Sequence, residues 1–263
     1  MSLTRRELMA ASAGMAISLP VLAQTRNPSA GDEQSLKMDL AGANHFLAEQ
    51  EVVGGYGHVS VRDPANPTHY LMSRSIAPAL ALPSDILAYD ADSNAINAAG
   101  IDQFSERYIH GEIYRVRPDV KAVVHAHATA LIPFSVLGIQ MRPAWHLAAF
   151  VGEGVPIFEI RGAREPNDNS MLVHTPALGK ALARALGNHP AILIRGHGAA
   201  IVGNTLGQAV SRAVYLQKNA IIQAQAMALG QNINYLDAAE VHAMAENTYE
   251  RDWEIWMRQS AVR

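Results

Sequence analysis

The sequence predicts one α/β domain in which helices cover a mixed sheet. Three observations carry this prediction. Several segments repeat apolar residues at helical spacing. Short β-branched or alternating runs lie between them, punctuated by proline and glycine. The two kinds of segment intermingle along the chain, with no internal repeat and no low-complexity tract. The 263 residues are 49% hydrophobic and 17% charged, enough for one sizeable core.

The first 23 residues read as an export signal. Thr4-Arg5-Arg6-Glu7-Leu8-Met9 is a twin-arginine pattern, an apolar stretch runs from Met9 to Leu22, and Val21-Leu22-Ala23 precedes a plausible cleavage point before Gln24. The stretch is too short to span a bilayer. Such signals are receptor-read addresses, so a soluble periplasmic protein without a stable membrane anchor is expected. Residues 24–32 are polar and read as a linker, leaving 33–263 as the main domain.

Leu36, Leu40, Ala43 and Leu47 share one face of a helix expected over Glu33–Gln50, which Gly54-Gly55 ends. Strands are expected at His58–Arg62, His69–Ser73 and Ile86–Tyr89, separated by Pro64, Pro67, Pro78 and Pro83. Ser105 is positioned to cap a helix reaching Arg117, with Ile109, Ile113 and Val116 facing the core, and Pro118 stops it. Thr175-Pro176 has the form of an N-cap followed by proline in the first turn. Ala191–Ile194 and Ala199–Val202 read as strands joined by Arg195-Gly196-His197-Gly198. Long helices are expected from Thr205 to about Leu229 and from Asp237 to Gln259.

Composition narrows the chemistry. The formal net charge is −3 and no basic block stands out, which argues against a nucleic-acid partner. There is no cysteine, so thiolate metal sites, disulfides and cysteine nucleophiles are excluded. A metal site must use nitrogen and oxygen, and the chain has 11 histidines.

His125-Ala126-His127 follows Val123-Val124, and side chains at i and i+2 of a strand share a face. Two imidazoles aimed at one spot are half of a divalent-metal site. His197, between glycines that permit a sharp bend, is the candidate third ligand. Glu106, at a helix start that favours a carboxylate, is a fourth ligand, a general acid/base, or both in turn.

These residues, with Gly57-His58-Val59-Ser60-Val61-Arg62, Ser73-Arg74, Ser105-Glu106-Arg107, Arg117–His127 and Arg195–Gly198, resemble the class II aldolase/adducin superfamily over roughly Leu36 to Leu229. The resemblance implies a three-layer α/β/α fold with a mostly antiparallel central sheet. It implies a divalent cation, commonly zinc, on His125, His127 and His197, with Glu106 as catalytic acid/base. Manganese, iron or cobalt would suit the same donors. It also implies homotetramers with active sites at subunit interfaces, and a small-molecule substrate.

The chain departs from the sugar-phosphate members of that family. Gly57-His58-Val59-Ser60 replaces Gly-Asn-x-Ser, Met72-Ser73-Arg74-Ser75 replaces a Thr-Pro-Ser-Gly-like loop, and Phe104-Ser105 replaces a serine pair. The polar cradle for phosphate is altered, and arginine binds carboxylates bidentately. With Arg142–His146 and Tyr215–Ala220, these departures resemble the branch of decarboxylases acting on hydroxylated aromatic or pyridine carboxylic acids. The expected substrate contacts are His58, Arg74 and Ser105, with Tyr215 and His146 as secondary donors. His110 and His174 are expected to be structural. The resemblance implies a metal-dependent carbon–carbon lyase working through an enolate-like intermediate. An aldolase or epimerase acting on a sugar or hydroxy-aldehyde, and a non-catalytic adducin-like domain, are the alternatives.

Overall fold

The computed structural model describes residues 32–230, 232–245 and 249–261. The twin-arginine segment and most of the expected linker lie outside them. The chain runs through α1 (Asp32–Glu49), β1 (His58–Arg62), β2 (Tyr70–Ser73), β3 (Ile86–Tyr89), α2 (Tyr108–Val116), β4 (Ala122–Ala126), α3 (Ile132–Leu137) and β5 (Ile157–Phe158). It continues through α4 (Pro176–Leu186), β6 (Ala191–Ile194), β7 (Gly198–Gly203), α5 (Leu206–Leu229), α6 (Ala238–Met244) and α7 (Glu250–Ala261). The strands form one sheet in the order β3-β2-β1-β4-β7-β6-β5. Neighbours are antiparallel except β5 and β6. No helix among the described residues is long and apolar enough to cross a membrane.

The pleat divides the interior into two cores. Ala122, Val124 and Ala126 of β4 join Val59, Val61, Ile201, Leu47 and Val210 in one, under α1 and α5. Val123 joins Ile192, Val202, Ile109 and Leu182 in the other, under α2 and α4. The result is helix, sheet, helix, as the resemblance implies. On the α2/α4 side, β1 and β4 also carry His58, Ser60 and His125 in buried positions.

Local chemistry explains most element ends. The Thr175 side chain accepts from Leu178 N–H ahead of Pro176, and the Thr205 side chain accepts from Gln208 N–H to start α5. The helix expected from Ser105 differs. Ser105–Arg107 forms a 3₁₀ turn with Glu106 at φ −91° and ψ 16°, which bends the chain before α2. Ser105 faces solvent and caps nothing, since Phe104 holds the N-cap position. Ile109 and Ile113 are fully buried, but Val116, the last residue of α2, is 47% exposed and does not face the core. The final expected helix is two. Asp237 caps α6 through Ala239 and Glu240 N–H, with Glu240 returning a bond to Asp237 N–H. α7 packs instead on α1, with Trp256 stacked on Phe46 at 4.4 Å.

The bend between β6 and β7 depends on its glycines. Gly196 has φ +65°, the left-handed region that glycine enters without strain. A Cβ on Gly198 would lie 1.9 Å from the Ala126 carbonyl oxygen, so the close approach is to strand β4 rather than to a ligand. Gly198→Ala should therefore lower the unfolding free energy by about 2–3 kcal/mol. Urea denaturation checks this, and an unchanged midpoint would show that β4 and β7 need no glycine there.

Candidate metal centre

Four side chains from three segments converge on one point. His125 comes from β4, His127 from the residue just beyond it, His197 from the β6–β7 bend and Glu106 from the 3₁₀ turn before α2. His127 Nε2 lies 2.8 Å from His125 Nε2 and 3.2 Å from His197 Nε2. Glu106 Oε2 lies 3.3 Å from His125 Nε2 and 3.2 Å from His197 Nε2. All four ligand atoms fall within 4.8 Å of one another. Tetrahedral zinc, with bonds of about 2.0 Å, places its donors roughly 3.3 Å apart. The donor set fits such an ion.

Backbone partners aim the donors. His125 Nδ1 donates to the Ala199 carbonyl at 3.2 Å, and His197 Nδ1 donates to the Met171 carbonyl at 2.9 Å. Each bond leaves a lone pair on Nε2, facing the cluster. Glu106 Oε1 accepts the Val173 N–H at 2.8 Å, which turns Oε2 inward. Burial alone would push the Glu106 carboxyl up, but His125 and His197 outweigh it and hold it well below the usual carboxylate range. Burial pulls His197 down, and its bond to Glu106 outweighs that and raises it. Burial, then the neighbouring His125 and His197, push His127 down to about 3. Neutral imidazoles and an ionised carboxylate are the forms that bind a cation.

Met171 and Val173 could not be found from sequence. They act through the backbone, in a stretch without strand or α-helix. Met171 holds φ +62°, uncommon for a residue with a side chain. Its sulfur also lies 3.6 Å from an Arg195 nitrogen, and Arg195 pairs with Glu159.

Beside the cluster stands a second group. β1 and β4 pair His58 directly with His125, and the two rings lie 5.2 Å apart between centroids. His58 also packs on Phe104 at 4.3 Å. Its Nδ1 lies 2.7 Å from His110 Nε2. His110 Nδ1 lies 2.6 Å from Ser60 Oγ, which lies 2.7 Å from the Tyr114 hydroxyl. Burial, then the facing imidazoles, hold His58 well below its ordinary range, and burial holds His110 at about 3. His110 was expected to be structural, and its hydrogen bonds give it a second task. Histidine i+1 from a helical apolar residue carries no sequence signal for this.

The remaining expected contacts divide. Continuing the β1–β2 register places Arg74 opposite His58. Arg74 Nε is held by Asp85 at 2.7 Å, and its Nη groups make no hydrogen bond among the described residues. Ser105 adjoins Glu106 in the exposed turn. Tyr215 and His146 do not join the cluster within this chain. Tyr215 belongs to the core under α1 and α5, on the other face of the sheet, and donates to Asp252 of α7. His146 is exposed and edge-on to Trp145, in a turn that packs on α5 and α6. The two motifs that contain them form one structural unit: Asn219 bonds the Arg142 carbonyl and Ala144 N–H, at 2.8 and 2.9 Å. His174 stays structural, 3.7 Å from Asp168.

A fold of this kind with a three-histidine, one-carboxylate centre defines a class of metal-dependent lyases. Residues 38–224 match the family model described as Class II Aldolase and Adducin N-terminal domain, and the chain belongs to that family. It is 33% identical over 239 residues to Decarboxylase tropJ of Talaromyces stipitatus, covering 82% of this chain and 90% of that protein. It is 26% identical over 223 residues to the 3,4-dihydroxyphthalate decarboxylase of Rhodococcus jostii, covering 80% and 87%. In fold it is similar to an L-fuculose 1-phosphate aldolase from Glaciozyma antarctica, with TM-score 0.73, 23% identity and coverage of 89% and 93%. The chain is an enzyme of the lyase type.

The buried histidines make the protein acid-labile. His110 binds its proton in the fold at about 3, below the 6.5 of an ordinary histidine. Between those values the unfolded chain holds more protons, so stability falls as pH falls. His58 and His127 act in the same direction, and His197, raised by its bond to Glu106, offsets part of their effect. The denaturation midpoint should drop steadily below about pH 6.5. In His110→Gln the slope should flatten, and an unchanged slope would remove His110 from the account.

Proposed function

We propose that the protein decarboxylates a hydroxylated aromatic carboxylic acid with the help of one divalent metal ion, zinc being the best match to three imidazoles and a carboxylate. The observation that carries this is the His125–His127–His197–Glu106 cluster standing beside His58 and Phe104, with Arg74 at the register position opposite His58. Arginine, imidazole and an aromatic ring suit a flat carboxylated substrate better than a sugar phosphate. The names of the decarboxylase relatives support the same reading.

His125, His127 and His197 would hold the cation, with Glu106 as a fourth donor while it is not transferring a proton. A bound cation supplies Lewis acidity toward the substrate's oxygens. Glu106, ionised at rest, takes the proton of a substrate hydroxyl as the substrate enters. Glu106 delivers that proton to the ring carbon that bears the carboxylate, which turns the carbon–carboxylate bond out of the ring plane. That bond then breaks, CO₂ leaves, and its electron pair returns to the ring. Arg74, through its Nη groups, and His58 grip carboxylate oxygens, and Ser105 lies at the rim. Phe104 covers a ring and excludes water.

Incubation with 3,4-dihydroxyphthalate and a panel of ortho-hydroxy aromatic acids should release CO₂. Glu106→Gln should keep its metal and lose at least about 100-fold in kcat. His197→Ala should lose metal and activity together. Retro-aldol cleavage of hydroxy-aldehydes with no CO₂ from any acid would overturn the reading.

The active form is an exported homotetramer in the periplasm, with residues 1–23 removed. The twin-arginine pattern supports export, and the family's common assembly supports the tetramer. Tyr215 and His146 then serve their own chain's structure, and a neighbour completes the site. Replacing Arg5 and Arg6 by lysine should leave the protein in the cytoplasm, as fractionation shows. Sedimentation of the mature protein at the monomer mass would exclude the tetramer.

A further inference from the structure

The chain Tyr114–Ser60–His110–His58 is buried along its whole length. Its proton order follows from counting donors. The Tyr114 hydroxyl has one proton, and Ser60 Oγ is the acceptor within 2.7 Å. If the order ran the other way, that proton would be buried without an acceptor, at a cost of about 1–3 kcal/mol. Tyr114 therefore donates to Ser60. Ser60 has a single proton of its own, and it goes to His110 Nδ1 at 2.6 Å. A neutral imidazole that accepts at one nitrogen carries its proton on the other. His110 thus donates from Nε2 to His58 Nδ1 at 2.7 Å. His58, accepting at Nδ1, carries its proton on Nε2, which makes no hydrogen bond among the described residues.

We infer that His110, Ser60 and Tyr114 are positioning residues that fix the tautomer of His58, so that His58 offers an Nε2–H donor to the substrate's departing carboxylate. The naming of the carboxylate rests on the decarboxylase reading, and the tautomer does not. The chemistry favours such a donor. The carboxylate loses its charge as CO₂ forms, so a second cation added to the Arg74 grip would stabilise the ground state more than the transition state. An uncharged N–H orients the group with less of that penalty. The Phe104 ring at 4.3 Å and the strand pairing with His125 restrict the His58 ring further.

The test uses the full mature chain loaded with zinc and labelled with ¹⁵N-histidine, and His58→Asn assigns the His58 signals. The expected spectrum shows His58 protonated on Nε2 and bare on Nδ1. Ser60→Ala removes the donor to His110 and should let the Nδ1-protonated form of His58 appear. Metal content should stay the same. KM for 3,4-dihydroxyphthalate should rise about tenfold, the weight of one hydrogen bond, with kcat within about twofold. Tyr114→Phe should act in the same direction. An Nδ1-protonated His58 in the unaltered protein overturns the inference. So does Ser60→Ala with unchanged spectrum and KM, and a shifted tautomer with unchanged KM removes His58 as the carboxylate donor. If Ser60→Ala does not fold, the unaltered protein's spectrum decides. A protein that releases no CO₂ fails the decarboxylase reading, while the spectrum still decides the tautomer.

Discussion

The pairing of β4 with β7 is the interaction on which the site depends. It places Ala126 against Ala199 and His125 against Ala200, and it brings the bend carrying His197 over the end of the strand that carries His125. The same ladder supplies the Ala199 carbonyl that sets the His125 ring. Gly198 lets the two backbones meet closely enough for this. The metal-binding geometry is thus a product of sheet register, and the side chains need little freedom to find it.

The two faces of the sheet divide the work. The face under α1 and α5 is packed with aliphatic and aromatic side chains, and Tyr215 and the Trp145 ring belong to it. The face under α2 and α4 mixes an apolar core with a line of polar groups along β1 and β4. Those groups are satisfied by one another or by backbone, and the Nε2–H of His58 is the donor left open toward the cluster. Because strands alternate, one residue of slippage would send His125 and His58 to the wrong side. The aliphatic face therefore fixes the polar one.

Much of this was legible in the residues. The strands at His58–Arg62 and Ile86–Tyr89 have the expected bounds, and the caps at Thr175 and Thr205 announce their helices. His-x-His reads directly as one strand face. Glu106 and His197 were found by motif, while their meeting needed the fold. What stayed hidden acts through the backbone or through tertiary register. Met171 and Val173 contribute a carbonyl and an N–H, which any residue possesses. His110 meets His58 and Ser60 only once α2 lies on β1. Tyr215 stood in a recognisable motif, but a motif does not say which side of a sheet it serves. The single helix expected from Asp237 to Gln259 is met by two, α6 and α7, and only the fold shows the second packing on α1.

The ligands come from well-separated parts of the chain. Glu106 and His125 are 19 residues apart, and His127 and His197 are 70 apart. A cation held by all of them is therefore also a cross-link, closing long loops that would cost entropy to form in an unfolded chain. In a protein without cysteine, no disulfide can play that part. The centre would then do for this chain what a covalent bridge does for many others, and its durability would track the supply of metal rather than the redox state of its surroundings.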